Sequence, residues 1–512
     1  MALPAHLAGL MLANAYPHAT ERIELIETHV SWVLLTGEYA YKIKRPVAYD
    51  FVDLRSAERR AFYCSEELRL NRRFAPELYL EVCDIREEDN RLHIGGNGLR
   101  IERCVRMRQF PRDEELDRLL TQDAIDTVAL EQFGADLATI HEHLPPAGPK
   151  DVWGYPDEVR RLLLENIDQY ERVAGAPVLE IRSATGARLG ELDGLIAARR
   201  ANGRVRECHG DLHTRNIVRR AGRLLAFDCM EFQSAFRWID VAEEVAFLLA
   251  DLHAHGYAAH ARAFLAGYLN RSGDYQACRL LDLYRAHRAL VRAKVALLDA
   301  ANTLDAERAV RARREHELML TEARRKHESS PRPLILVTGL SGSGKTWIAR
   351  RLAPDLGAIH VRSDIERKRL AGLSEREHSG SGITSGLYAR QMTHRVYEHL
   401  AQSAEDVLSG GYPVIVDATF STRAERALFK ELAERLAVKL QVIVCEAPES
   451  VLRGRITERQ QRGDDASEAG LAVLDWQLKH REPIAADESL EVIRVSTVEA
   501  DPLAAALRSM KS

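Results

Sequence analysis

Residues 208–216 read CHGDLHTRN, and the spacing of His209, Asp211, Leu212 and Asn216 reproduces the pattern H-x-D-L-x-x-x-N, with Gly210 at the open position. More than a hundred residues downstream, positions 339–346 read GLSGSGKT. Each is a pattern by which a chain handles phosphate. The fold follows from how the flanking sequence accommodates the two of them.

Transfer of a phosphoryl group from ATP is mostly positioning and charge neutralisation: it needs a carboxylate near the acceptor hydroxyl and oxygen ligands for Mg²⁺. Asp211 fits the first role and Asn216 the second. The order matches the kinase catalytic loop H-R-D-L-x-x-x-N with glycine in place of arginine. A second metal carboxylate is expected on a following strand, and RLLAFDCMEF offers Asp228 at the end of an apolar run. It stands where D-F-G would, with Cys229 and Met230 replacing Phe and Gly, so an ordinary protein kinase is not expected. Glu231 offers either a further acidic group or an exposed salt bridge. The strand-like YAYKIK places Lys42 and Lys44 on one face as phosphate cations, Lys42 being favoured, because side chains alternate along a strand. Glu67 in CSEELRLNRR, with its neighbour Glu66 as the alternative, is the acid to brace the lysine. His209 and His213 are expected to order the loop, and Asp240 to cap or brace a helix.

On these motifs, residues 28–252 resemble the aminoglycoside phosphotransferase group, whose HGDLHxxN signature is matched here. The resemblance implies a bilobal kinase-like fold. It makes Asp211 the catalytic base, Asn216 and Asp228 the Mg²⁺ ligands, Lys42 the phosphate lysine and Glu67 its partner, and it makes CVRMRQF, around Val105 to Met107, the hinge that meets adenine. The group also phosphorylates choline, sugars and homoserine-like metabolites, so the resemblance names no antibiotic. A G-x-G-x-x-G phosphate loop is missing, and Gly37 alone stands in the hairpin turn.

The second pattern, G-x-x-x-x-G-K-[ST], lies between the apolar run LILVTG and a helical segment. Gly339, Ser341, Gly342, Ser343 and Gly344 let backbone N–H groups face phosphates at a helix N-terminus. Lys345 reaches the β- and γ-phosphates and Thr346 sets a hydroxyl on Mg²⁺. Asp364 in HVRSD is a candidate to hold or deprotonate an acceptor, or else a helix N-cap, while Arg362 and Arg367 are candidates to grip an anionic substrate. Asp417, ending YPVIVDATF, is the acid that would reach Mg²⁺ through water. Arg455, Arg459 and Arg462 precede an acidic turn and are expected to form a lid over the transferring group. Residues 333–485 resemble the gluconate kinase, polynucleotide kinase and zeta toxin group of P-loop kinases.

At 512 residues the chain is too long for one ordinary core. The prolines and polar residues of ESSPRP, Glu328–Pro333, mark a linker. The expected division is a kinase-like domain at 1–327, with a sheet-rich small lobe to about 110 and a helical lobe at 111–327, then a P-loop domain at 334–512. In fold class the first is α+β. The second is α/β, because apolar runs alternate with helical patterns as parallel strands and crossover helices require. Hydrophobic residues at 46% and charged ones at 29% are ordinary for a soluble globular protein, and no apolar run is long enough for a membrane span. A cytoplasmic enzyme is expected. Seven scattered cysteines, none spaced C-x-x-C, indicate neither a disulfide framework nor a zinc site. A net charge of -4 argues against a nucleic-acid coat protein. The expected partners are small hydroxylated substrates, with ATP and Mg²⁺ as cofactors. Two other readings stand beside this one: an N-terminal ligand sensor regulating the P-loop kinase, and a C-terminal kinase of nucleic-acid ends.

Overall fold

Two short 3-10 helices, Ala5–Met11 and Ala13–Ala15, open the chain, and short runs broken by turn residues follow as strands. These are β1 (Glu24–Glu27), β2 (Ser31–Leu35) and β3 (Tyr39–Lys44), a meander in which Val33 of β2 lies opposite Lys42 of β3. The computed structural model describes residues 3–49, 52–325, 332–374, 377, 390–462 and 467–511. After a small hairpin of β4 (Ala48–Tyr49) and β5 (Val52–Asp53) comes helix α1 (Ala57–Asn71), capped by the Ser56 side chain, which accepts from the Arg59 N–H. Strands β6 (Tyr79–Glu88), β7 (Arg91–Ile94) and β8 (Leu99–Arg108) complete an antiparallel sheet in the order β1-β2-β3-β8-β6-β7. One face carries α1 over a core of Cys64, Val105 and Met107. The other covers Trp32, Leu34, Tyr41, Ile43 and Ile85.

Helices then dominate: α2 (Leu116–Thr121), α3 (Thr127–His143), α4 (Pro156–Ala174) and α5 (Leu179–Ala201). The functional loop is framed by two ribbons. Strand β9 (Val205–Glu207) pairs with β12 (Trp238–Asp240), and β10 (Ile217–Arg220) pairs with β11 (Arg223–Ala226), the four-residue helix α6 (Ser234–Arg237) intervening. Helix α7 (Val241–Ala254) is buried at every position from Val241 to Leu252, which makes it the axis of this lobe. Helices α8 (Ala258–Ser272), α9 (Cys278–Asn302) and α10 (Ala306–Arg324) follow. Asp240 caps α7 through the Ala242 N–H and holds the buried Arg199 guanidinium at 2.8 Å, the bracing role expected of it.

The second half alternates strand and helix. Strand β13 (Leu334–Thr338) leads to α11 (Lys345–Leu356), β14 (Ile359–Arg362) to α12 (Ser363–Leu370), and α13 (Arg390–Ser409) to β15 (Val414–Asp417). Next come α14 (Arg423–Arg435), β16 (Leu440–Glu446), α15 (Glu449–Arg462), α16 (Leu471–His480), β17 (Glu491–Ser496) and α17 (Pro502–Lys511). The sheet is wholly parallel in the order β14-β15-β13-β16-β17. All five residues of β13 are buried, as a central strand covered on both faces requires. Its fifth strand, β17, is an edge strand of mixed burial, and EVIRVS carries no continuous apolar run to announce it.

By contacts, the chain groups into Met1–Ala261 with Leu283–Arg324, and Arg262–Asp282 with Arg325–Ser512. Residues 262–282, from the stretch read as helical lobe, thus group with the second unit. Linker residues 328–331 lie outside the described residues. No helix among the described residues is long and apolar enough to cross a membrane.

Breaking a buried ion pair by deleting one member strands the other charge, at a cost of about 3–5 kcal/mol. Asp240→Ala takes away the carboxylate 2.8 Å from the buried Arg199 guanidinium and removes a helix cap. A loss of stability of that size is expected from urea unfolding followed by circular dichroism, while a change below ~1 kcal/mol would contradict the bracing role.

Candidate functional site

The loop 208–216 is built by backbone constraints before any chemistry. Gly210 sits at φ 85°, and a β-carbon there would lie 2.8 Å from the Phe236 carbonyl oxygen and 3.0 Å from the Met230 β-carbon. Only glycine meets both demands, which is why it replaces the arginine of the kinase pattern. The Glu244 carboxylate of α7 accepts from the N–H groups of His209 (2.7 Å) and Gly210 (3.0 Å), and burial pushes this acid up to about 7. Asp251, about two turns further along α7, accepts from the Thr214 N–H at 2.8 Å and its hydroxyl at 2.6 Å. Neither acid was expected from the motif. Their signal is that three carboxylates, Glu243, Glu244 and Asp251, interrupt an otherwise apolar helix.

His209 is fully buried, its Nε2 2.9 Å from the Phe227 carbonyl, and its Nδ1 accepts from the Asp211 N–H at 3.3 Å. Burial holds its pKa down to about 4, so it stays neutral and serves to order the loop. The Asn216 amide donates to Asp211 Oδ2 at 3.0 Å and to the Asp211 carbonyl at 2.9 Å. His213 Nε2 lies 3.4 Å from Asp211 Oδ2. Burial would raise the Asp211 pKa, but His213, with the charge of Arg292, outweighs it and keeps the carboxylate ionised. Two backbone bonds, Phe227 N–H to the Asn216 carbonyl and Met230 N–H to the His209 carbonyl, both 2.9 Å, bring Asp228 alongside. Asp228 adopts φ 65°, and its N–H donates to the Tyr79 hydroxyl at 3.1 Å.

Lysines from the small lobe complete this arrangement. Lys42 Nζ lies 2.5 Å from Asp228 and 2.7 Å from Glu67, which has no solvent exposure. Lys44 takes the other Glu67 oxygen at 2.5 Å, pairs with Glu231, and stands 4.8 Å from the Phe232 ring centroid. Burial lowers the Lys42 pKa, but Asp228 and Glu67 together prevail and hold it well above its ordinary value. The two lysines are therefore not equivalent: Lys42 reaches Asp228, and Lys44 secures Glu67 and Glu231. Glu231 is buried, so its exposed salt bridge is corrected to an internal one. Glu66 pairs with Arg69 at 2.7 Å. Val105 lies opposite Lys42 and Met107 opposite Ala40 in the central strand β8, so their main-chain groups belong to the sheet and their side chains enter an apolar cluster with Ala40, Val33, Val218 and Leu225.

In the second unit the phosphate loop presses hard against its neighbours. A β-carbon on Gly342, at φ 80°, would lie 2.7 Å from the Leu452 carbonyl oxygen, and one on Gly339 would lie 2.5 Å from that of Cys445. Gly344 is the N-cap of α11. Lys345 Nζ donates to the Leu340 carbonyl at 3.2 Å across the mouth of the loop, and the Thr346 hydroxyl donates to Asp417 Oδ2 at 2.6 Å. His360 Nε2 is 3.5 Å from the same oxygen. Burial alone would raise the Asp417 pKa, yet the neighbouring His360 ring and the charge of Lys345 lower it. Ser341 donates its N–H to Gln477 of α16 at 2.9 Å, a tether no motif foretold. The Ser343 hydroxyl is buried without a hydrogen-bond partner among the described residues.

These groups open on a cleft of about 1770 Å³ lined also by Asp364, Arg367, Arg390, Tyr397 and Trp476. Asp364 lies in the first turn of α12, whose N-cap is Arg362, so the reading of Asp364 as N-cap is corrected. Arg367 donates to the Thr393 hydroxyl at 3.3 Å. Arg455 donates to the Gly342 carbonyl at 3.3 Å and to Thr497, bracing the loop, and Arg459 donates to the Ala469 carbonyl at 2.5 Å. Arg462 also lines the cleft, while residues 463–466 of the acidic turn lie outside the described residues.

Comparison with known proteins matches two family models to separate stretches of the chain, the first of which takes in residues 262–281. A family model described as Phosphotransferase enzyme family matches residues 43–281, and one described as AAA domain matches 334–484. Uncharacterized protein Rv2004c of Mycobacterium tuberculosis and Uncharacterized protein Mb2027c of Mycobacterium bovis are each 30% identical over 479 residues, spanning 91% of this chain and 94% of theirs. Among solved structures, a choline/ethanolamine kinase family protein from Mesorhizobium loti matches 60% of this chain and 93% of its own at 14% identity and TM-score 0.33. A gluconokinase from Sinorhizobium meliloti matches 36% and 94% at 20% identity and TM-score 0.25.

The His209 geometry fixes a pH dependence. An unfolded histidine binds a proton near pH 6.5, whereas this one does so only near 4, so the unfolded state binds more protons in between and stability falls as pH drops through that window. Urea midpoints of wild type and His209→Asn between pH 7 and 5 are expected to show a steeper decline for wild type. Parallel declines would remove the assignment.

Proposed function

Together with Rv2004c and Mb2027c, this chain belongs to a family that joins a phosphotransferase domain to a P-loop kinase-like domain, and from that premise we propose that it carries two separate ATP-dependent sites esterifying hydroxyl groups of small metabolites. The chain is a kinase-type enzyme. What carries the reading of two sites is that each unit assembles its own set of acid, cation and oxygen ligand, with no residue shared.

In the first unit, Asp211 stands ionised beside Asn216 and accepts the proton of the acceptor hydroxyl as the oxygen attacks the γ-phosphorus. Lys42, fixed by Glu67, neutralises phosphate charge. The oxygens of Asp228 and Asn216 are hard donors and fit Mg²⁺, which they would hold. In the second unit, Lys345 and the loop amides receive the phosphates. The ionised Asp417 with the Thr346 hydroxyl fits the same ion. The buried Ser343 hydroxyl supports the fit of a phosphate-bearing ligand. Asp364 and Arg367 line the same cleft and are the groups available there to an acceptor. When bound, Mg²⁺ supplies charge neutralisation on the transferring group.

The sensor reading is opposed by the first unit itself, because a binding module has no need to retain Asp211, Asn216 and Asp228 around one lysine. The reading as a kinase of nucleic-acid ends draws no support from a chain of net charge -4.

Asp211→Asn and Lys345→Ala are each expected to lower one activity on the order of 100-fold and leave the other intact. ADP release from the full-length variants over a pool of hydroxylated metabolites, with mass detection of phosphorylated products, measures both. Loss of both activities in either variant would refute separate sites, and an unchanged profile in Asp211→Asn would revive the sensor.

A further inference from the structure

Of the seven cysteines, six are buried and one, Cys83 in β6, is partly exposed. Its partner directly across the antiparallel ladder in β8 is another cysteine, Cys104, which is completely buried. Residues opposite one another in such a ladder have Cα atoms roughly 4.5–5.5 Å apart and side chains on the same face, inside the range of roughly 4.4–6.8 Å that a disulfide spans. Both side chains join the same apolar cluster with Tyr41, Ile43 and Ile85. The Cys104 sulfur lies 3.8 Å from the Cys83 carbonyl oxygen, on the Cys83 side of its strand. The remaining small-lobe cysteine, Cys64, belongs to the cluster on the opposite face.

We propose that Cys83 and Cys104 form a reversible thiol–disulfide pair, in which partly exposed Cys83 reacts first with a low-molecular-weight disulfide and buried Cys104 resolves it. The chemistry of the two sulfurs is suitably divided. A hydrogen bond from Cys104 lowers the Cys83 thiol, and the same bond, aided by burial, raises that of Cys104. The thiolate is the nucleophile, so the first attack belongs to the sulfur that is both lower and reachable. The Cys83 thiolate attacks one sulfur of the small disulfide, forming a mixed disulfide and releasing a thiolate. Cys104 then yields its proton to that thiolate, and its sulfur attacks the Cys83 sulfur, expelling the second small thiol. Two protein thiols are oxidised and one small disulfide is reduced to two thiols.

The place of this pair gives it consequence. Cys104 is the register partner of Ile43 as well as Cys83, and the next residue, Val105, lies opposite Lys42. A bond here pins β6 to the strand beside the phosphate lysine. It uses the existing ladder and needs no movement of the sheet.

Full-length protein exposed to oxidised glutathione, then denatured, alkylated with iodoacetamide and mapped by mass spectrometry, tests the pair. Wild type is expected to lose two alkylatable thiols and yield a Cys83–Cys104 linked peptide that dithiothreitol removes. Cys104→Ser is expected to stop at a glutathione adduct on Cys83, and Cys83→Ser to form neither adduct nor link while keeping wild-type ADP release. A persistent adduct on Cys83 in wild type, or an unmodified Cys83, overturns the proposal. If Cys104→Ser fails to fold, the wild-type peptide map decides alone.

Discussion

Glu67 has no solvent exposure and lies between two buried lysines, Lys42 and Lys44. A buried carboxylate is tolerated only with compensating charge, and two ammonium groups on alternate residues of one strand supply it from a single face. The two lysines also pair with Asp228 and Glu231, both on the segment that follows the loop 208–216, so two ammonium groups face three carboxylates. Ion pairing thus ties α1 and β3 of the small lobe to that segment of the helical lobe.

The second unit solves its problem through the backbone. A loop that must present amides to phosphate has to fold back on itself where strand meets helix, and its outer surface then abuts β16 and α15 with no room for side chains. Tethers to Gln477, Arg455 and Thr497 hold the loop from above and from the edge strand. Both units therefore prepare their reactive groups in advance. Their groups are ordered by neutral His209, by Glu244 and Asp251 in one unit, and by His360 and Asp417 in the other.

Much of this was legible in the primary structure wherever chemistry demands residue types at fixed spacing. The loop Cys208–Asn216, Asp228 and the run from Gly339 to Thr346 were readable because each is local. Lys42 and Lys44 could not be separated, since both sit on the same face and their difference is which acid each meets across the lobes. Two roles stayed open for Glu231 for the same reason: charge on a surface-like stretch gives no sign of burial until its partner is known. Asp364 as an N-cap failed because the helix begins two residues earlier than its side chain would require. Strand β17 escaped notice because an edge strand needs only alternate burial.

Taken alone, the order of residues determined the two phosphate-handling motifs, the α+β and α/β character of the two parts, and the candidates for the reactive groups, because those depend on covalent spacing and on apolar periodicity. Tertiary structure alone decided which charges became internal and which acids hold the loop backbone. It also decided that Cys83 and Cys104 face each other. Those outcomes depend on contacts between segments far apart in the chain, where burial raises the cost of an unpaired group and strand register selects its partner.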